Sequence, residues 1–189
     1  MAKSAKSQFA VLGMLAILKK CSGYDLKKHM ESSTQYFWKE TFSSIYPILE
    51  NLEKQKLIVK IDVRAKNDRK RNVYGLTPQG TSVLEEWLLK TPDDIQVRNE
   101  LLLKLFFGEL VSTKVSIEHL EDYKKGLSNK LSSFREIENK LRDANSSESL
   151  YSLIALDHGI SQVLTSLEWC NRAIRTLKSN KQETNVGAL

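Results

Sequence analysis

Eight apolar side chains on the last long segment alternate at spacings of three and four residues: Leu153, Leu156, Ile160, Val163, Leu167, Cys170, Ile174 and Leu177. That spacing matches the repeat of helices that interlock side chain into hole, so the segment must lie along another helix for more than three heptads. A helix packed inside the bundle of a single chain gives a similar stripe. With so few other elements to bury it, the expectation is a partner chain, and hence a homodimer joined along this seam. From Ser179 onward the residues are polar, and 179–189 is expected to be a frayed tail.

Charge divides the 189 residues unevenly. Residues 1–90 hold 16 Lys and Arg against 9 Asp and Glu, whereas 91–189 hold 13 against 14. A basic half joined to a neutral half suits a chain of which one part meets a polyanion and the other does something else. Cys21 and Cys170 are too few for a disulfide scaffold and too far apart for a C-x-x-C pair, which fits a reducing compartment and two buried thiols. The longest apolar run, Phe9 to Leu18, is about half a membrane span. Lys3 and Lys6 precede it as in a signal peptide, but Lys19-Lys20 stand where a cleavage site needs small residues. The expectation is a cytoplasmic protein with no membrane partner.

Periodicity orders the first half. Residues 7–20 read as a helix buried on most sides, with Ser7 as its cap, and Cys21-Ser22-Gly23 breaks it. A short helix follows from Tyr24 to about Glu31, then a packed loop over 32–42 with Tyr36, Phe37 and Trp38. A third helix starts near Ser43 or Ser44, with Ile45, Ile48, Leu49 and Leu52 as its inward stripe and Pro47 in its first turn. The period then changes to two: Val59, Ile61 and Val63 alternate with Lys60 and Asp62 as a half-buried strand. A charged turn over 65–70 leads to a returning strand at Val73–Leu76, and Thr77-Pro78 caps a helix that runs to about Leu89. Helix, helix, helix, strand, strand, helix is the order of a winged helix-turn-helix. Beyond residue 94 every pattern is helical: Val97 to Leu110, Ser116 to about Arg142 with Leu120, Leu127, Leu131, Phe134, Ile137 and Leu141 on one side, and the seam helix. The fold class expected is mainly α, with residues 1–90 as the winged helix-turn-helix and 95–178 as a helical dimerisation domain.

The third helix is the candidate DNA reader, since a major groove about 12 Å wide admits one helix. Ser43 and Ser44 offer hydroxyls and backbone N–H groups to a phosphate, and Tyr46 a phenolic donor. Asn51 can pair with adenine, and Lys54 can reach guanine or phosphate. Tyr24 and Pro47 complete the contact set on the helices. The hairpin carries six basic residues, Lys60, Arg64, Lys66, Arg69, Lys70 and Arg71, against Asp62 and Asp68. A turn needs polar residues but not this bias; a wing riding on the DNA backbone does.

Enzyme chemistry has no foothold. His29, His119 and His158 have no partner at metal-ligand spacing, Asp157-His158 are neighbours that face apart on a helix, and no phosphate-cradling or nucleophile motif occurs. No metal or cofactor is expected. Trp169 lies beside the seam and is a candidate lining residue for an effector cavity between the dimer and DNA-binding parts.

Four stretches make the first half resemble the PadR family of bacterial transcriptional regulators: Val11-Leu12-Gly13-Met14-Leu15, Ser22-Gly23-Tyr24-Asp25-Leu26, Ser44-Ile45-Tyr46-Pro47-Ile48-Leu49 with Leu52-Glu53-Lys54-Gln55-Lys56-Leu57-Ile58, and Tyr74-Gly75-Leu76-Thr77-Pro78-Gln79-Gly80. Ser22 stands where the family often has His, and Lys56 where a Gly often ends the reading helix. Arg98–Phe107, His158-Gly159-Ile160 and Leu167-Glu168-Trp169 are similar to the virulence-activator-type helical domain of the larger subfamily. The resemblance implies a homodimer on double-stranded DNA, more often a repressor than an activator. A small-molecule effector of unknown identity in the interdomain region is compatible with this reading. The alternative is a winged helix that docks proteins or senses a ligand without binding DNA by itself.

Overall fold

Apolar side chains around nearly the whole circumference make the first helix a central one. Helix α1 spans Lys3–Leu18 and buries Val11, Leu12, Met14 and Leu15. The computed structural model describes residues 3–64, 70–94, 98–144 and 147–186, and the chain divides into two units, Met1–Asp94 and Ile95–Leu189. Ser7 lies inside α1 rather than at its cap, and its hydroxyl donates to Glu40. The helix stops two residues earlier than its pattern suggested, because Lys19 turns left-handed at φ 61°. The chain then enters a strand the sequence did not announce, β1 (Lys20–Ser22).

Helix α2 (Gly23–Ser32) starts on a capping box in which the Ser22 hydroxyl accepts from the Asp25 N–H and Asp25 accepts from the Ser22 N–H. Helix α3 (Phe42–Lys54) starts on a second box, Thr41 with Ser44, and buries Ile45, Leu49 and Leu52 as its period requires. Pro47 therefore sits past the first turn, not within it. The Ser43 carbonyl loses its usual donor, and both residues lie at the surface, where water can replace it.

The end of α3 sets the start of the hairpin. Leu57 N–H returns to the Leu52 carbonyl at 3.0 Å and Lys56 N–H to the Glu53 carbonyl at 2.9 Å. This is the closure that ordinarily selects glycine. Lys56 makes it at φ 59° with a side chain attached. Strands β2 (Ile58–Arg64) and β3 (Lys70–Leu76) follow as an antiparallel hairpin, with Ile58 opposite Leu76 and Arg64 opposite Lys70, and β1 pairs with the far side of β3. The core face of this sheet holds Ile58, Cys21 and Tyr74. Val59, expected inward, is half exposed and Ile61 only partly covered, so the strand turns the opposite face to the core.

Thr77 caps α4 (Pro78–Leu88). Its hydroxyl donates to the carbonyls of Lys56 and Leu57 and accepts the Gly80 N–H. Packing there leaves no room for a side chain at residue 80, since a Cβ would lie 1.9 Å from the Leu57 carbonyl oxygen. On the far side of α4, Trp87 stacks flat on Phe9 of α1, ring centres 4.6 Å apart.

The second unit has a short α5 (Glu100–Phe106), a 3-10 turn at Gly108–Leu110, and two long helices, α6 (Thr113–Ala144) and α7 (Ser147–Val186). The two long helices pack as a hairpin. Phe134 of α6 fills the space over Gly159, where a Cβ would meet its ring at 3.0 Å, and Cys170 lies near Lys124 and Glu121. Ile160, Val163, Cys170 and Ile174 are buried in this hairpin, with Leu153, Leu156, Leu167 and Leu177 partly covered. Half of the seam thus lies buried against α6 of its own chain, with Leu120, Leu127 and Phe134 opposite. Helix α7 also continues to Val186, past the expected fraying point.

Two substitutions separate the effects at the α3–β2–α4 junction. Gly80→Ala drives a methyl into a carbonyl and should lower stability by about 3 kcal/mol or more. Lys56→Gly relieves the left-handed residue and should raise it by about 0.5–1 kcal/mol. Urea midpoints read both; equal midpoints for Gly80→Ala and the parent would mean that the junction is looser than its packing implies.

Candidate nucleic-acid interface

Helices α2 and α3 cross closely because Gly23 has no side chain: a Cβ there would stand 3.0 Å from the Tyr46 ring and 3.2 Å from Leu49. With one flank of α3 against α2 and its stripe in the core, the remaining surface shows Ser43, Tyr46, Pro47, Glu50, Asn51 and Lys54, all exposed. These include five of the six residues expected on this helix.

Ser44 is the exception. Its hydroxyl donates to Glu40 Oε2 at 2.7 Å and accepts from the Thr41 N–H at 3.0 Å. It closes the start of α3 instead of offering a donor to a phosphate. Glu40 is a residue the sequence reading missed. It is buried, and its Oε1 accepts from Ser7 of α1 and from Trp38 Nε1 at 3.0 Å. One carboxylate therefore fastens the start of α3 to α1 and to the preceding loop, and its charge favours the positive end of the helix. A sequence signal existed, an acid just ahead of a Thr-x-x-Ser cap, but its partner Ser7 lies 33 residues away.

Lys54 and Glu50 pair at 2.8 Å, which holds the Glu50 carboxyl below the usual carboxylate range through the hydrogen bond and then the charge. Both side chains are largely in solvent, so a DNA phosphate or guanine can compete for Lys54 at little loss. Tyr24, at the start of α2, stacks on Phe42 at 6.1 Å. Lys27, paired with Glu31, places its ammonium 5.5 Å from the centre of the same ring.

On the wing, Arg64 faces Lys70 across the ladder and Val63 faces Arg71. The side chains of Arg64, Lys70 and Arg71, and all of Lys66 and Arg69, lie outside the described residues. Lys60, opposite Tyr74 nearer the root, is exposed.

In the second unit an open cavity of about 220 Å³ is lined by Glu100, Leu101, Lys104, His119, Asp122 and Tyr123. Lys104 and Glu100 already pair at 2.9 Å, and the space is below what drug-sized ligands fill. Trp169 is half-buried on α7 and does not line it. Burial, then the charge of Asp25, pushes the Cys21 thiol up to about 11, and burial also raises Cys170. Among the described residues no group of three or more His, Cys, Asp or Glu could hold a metal ion, and no helix is long and apolar enough to cross a membrane.

A helix-turn-helix with its outer helix bare, followed by a two-stranded wing with basic residues at its end, is the winged-helix architecture of DNA-binding regulators. Comparison with known proteins gives the family. Residues 11–86 match the transcriptional regulator PadR-like family and residues 97–178 match the virulence activator alpha C-terminal domain. The chain belongs to the PadR-like family of transcriptional regulators, which are not enzymes. Among solved structures, Bacillus subtilis PadR in complex with operator DNA superposes with a TM-score of 0.80 at 24% identity, covering 90% of this chain and 98% of that one. The Bacillus cereus PadR-like regulator BC1756 gives 0.76 at 24% identity, covering 91% and 95%. The Vibrio cholerae virulence activator AphA gives 0.74 at 20% identity, covering 91% and 98%. No curated protein sequence matches the chain.

Glu40→Ala removes an acceptor shared by three donors and should lower stability by about 2 kcal/mol. Glu40→Gln, which keeps one good acceptor, should fall between. An unchanged urea midpoint for Glu40→Ala would take the carboxylate out of the scaffold.

Proposed function

We propose that the chain is a homodimeric, sequence-specific repressor of transcription acting on a pseudo-palindromic operator in the cytoplasm. The observation that carries this reading is the bare outer face of α3 beside a wing whose register brings basic residues together at its end. Helix α3 enters the major groove. Ser43, Tyr46 and the backbone fix its register, with Tyr24 on the adjoining phosphates. Asn51 pairs with adenine and Lys54 with guanine once Glu50 releases it. Arg64, Lys66, Arg69, Lys70 and Arg71 hold the flanking backbone. Two copies imply half-sites about 34–36 Å apart, or a multiple of that spacing. The solved complex of Bacillus subtilis PadR with operator DNA supports the reading. A second structure of that protein holds p-coumaric acid, and a small-molecule effector belongs to the same proposal.

A second copy finds the centre of the α7 seam already covered by α6 and the other seam residues covered only in part. Exposed apolar side chains elsewhere in the unit remain for it: Leu102, Leu103, Phe106, Phe107, Leu110 and Val111 around α5, and Leu150, Tyr151 and Ile154 at the start of α7. Phe106, 80% exposed, stands edge-on to Phe107 with ring centres 5.2 Å apart. Such a density of large apolar groups in water marks an interface.

The direct test measures affinity for the chain's own promoter region and for scrambled DNA across a salt series. A nanomolar preference that falls steeply with salt is expected. Arg69→Ala with Arg71→Ala should weaken binding to both DNAs and flatten the log–log salt slope by about 2, near 0.9 for each phosphate no longer neutralised. Equal and weak binding of the unaltered protein to both DNAs would overturn the proposal.

Phe106→Glu sets charges against one another in the pairing surface while leaving the α6–α7 hairpin intact. Light scattering should then report a monomer at micromolar concentration where the parent is a dimer. A dimer that survives the change would move the interface elsewhere.

A further inference from the structure

We propose that Phe42 reads the 5-methyl group of a thymine in each half-site; the inference rests on α3 entering the major groove. Phe42 is the first residue of α3, on the flank that faces α2, and it is 43% exposed. Its position is well fixed despite that exposure. Tyr24 stacks on it with the rings 19° from parallel, the Lys27 ammonium lies 5.5 Å from its centre, and the Thr41–Ser44 capping box sets the backbone on which it stands. One turn further on, Tyr46 continues the same flank, 51% exposed.

The chemistry of the three rings differs. Tyr24 and Tyr46 each end in a hydroxyl that can bond a phosphate or a base edge. Phe42 has no polar atom, so pressing it on a phosphate or a base edge would strip water from a polar group and return nothing. The major groove presents one apolar group, the thymine methyl. A rigid aromatic ring at the leading end of a groove-entering helix is matched to that group and to no other feature of the groove. The ordering cost of the contact is small, because the ring is already held.

The test replaces each thymine of the footprinted operator, one at a time, with deoxyuridine, which lacks only the methyl. With the full-length unaltered protein, one position in each half-site should weaken binding by about fourfold, the value of one buried methyl group. With Phe42→Ala that position should bind equally well with either base, while other positions behave as before. Phe42→Ser, which suits the first turn of a helix, should do the same. The assignment is overturned if no thymine shows the effect in the unaltered protein, or if both variants keep the parent's discrimination at that position. Failure of the unaltered protein to prefer its promoter over scrambled DNA would instead remove the DNA-reading proposal itself, and this inference with it.

Discussion

The carbonyl of Leu57 is the point on which the first unit turns. It accepts the Thr77 N–H at 3.1 Å and shares the single Thr77 hydroxyl proton, at 3.1 Å, with the Lys56 carbonyl at 2.8 Å, and Gly80 packs against it from the side. The same residue closes the end of α3 through its own N–H to Leu52. One peptide thus joins the end of α3, the root of the wing and the start of α4. With Ile58 forced to face Leu76 at this root, every later pair on the ladder is set as well, down to Arg64 against Lys70. The backbone register at the wing's end is a consequence of packing seven residues away.

The start of α3 is fixed by different means. There a buried carboxylate, Glu40, takes hydrogen bonds from α1, from the preceding loop and from Ser44. A closed turn at one end and a polar network at the other leave the helix little freedom to roll. Its outward side chains are then relieved of structural duty: Ser43 bonds to the exposed Thr41 and Lys54 to the exposed Glu50, and Asn51 faces solvent beside them. Ser44 is drawn the other way. It is half-buried, and what looked like a phosphate donor is part of the cap.

Sequence periodicity was enough for the elements that bury a single stripe. The 45–48–49–52 spacing gave α3, Thr77-Pro78 gave the start of α4, and the long apolar rows gave α6 and α7. It failed where the information was relational. An alternation of apolar residues says that a strand has two unlike faces, but β2 is apolar on both near its root, and the Leu57 junction rather than the pattern chose Ile58 over Val59. The seam of α7 states that the helix has a buried face without stating whose helix covers it. Three residues of β1 are too few to show any period. Of the candidate site, the exposed face of α3 was legible because the period that sets its buried stripe also sets its polar side. The placing of Glu40 and Phe42 was not, since each is held by residues of other elements: Ser7 for one, Tyr24 and Lys27 for the other.

The use of the seam inside the chain has a further consequence for how the molecule divides its apolar surface. A hairpin of α6 on α7 buries Leu120, Leu127, Phe134, Ile160, Val163 and Ile174 without help from a second copy. What remains exposed lies mostly around α5, where Phe106, Phe107 and Leu110 are in water although the unit already has a core, and at the start of α7, with Leu150, Tyr151 and Ile154. In the proposed dimer the buried centre of the hairpin folds the unit and the exposed apolar residues pair it. Changes to the pairing surface can alter association while the hairpin persists, and the charge excess of the first 90 residues stands on a separate unit again. In the proposed reading, folding, pairing and contact with a polyanion rest on three different sets of residues, and each set can vary without dismantling the other two.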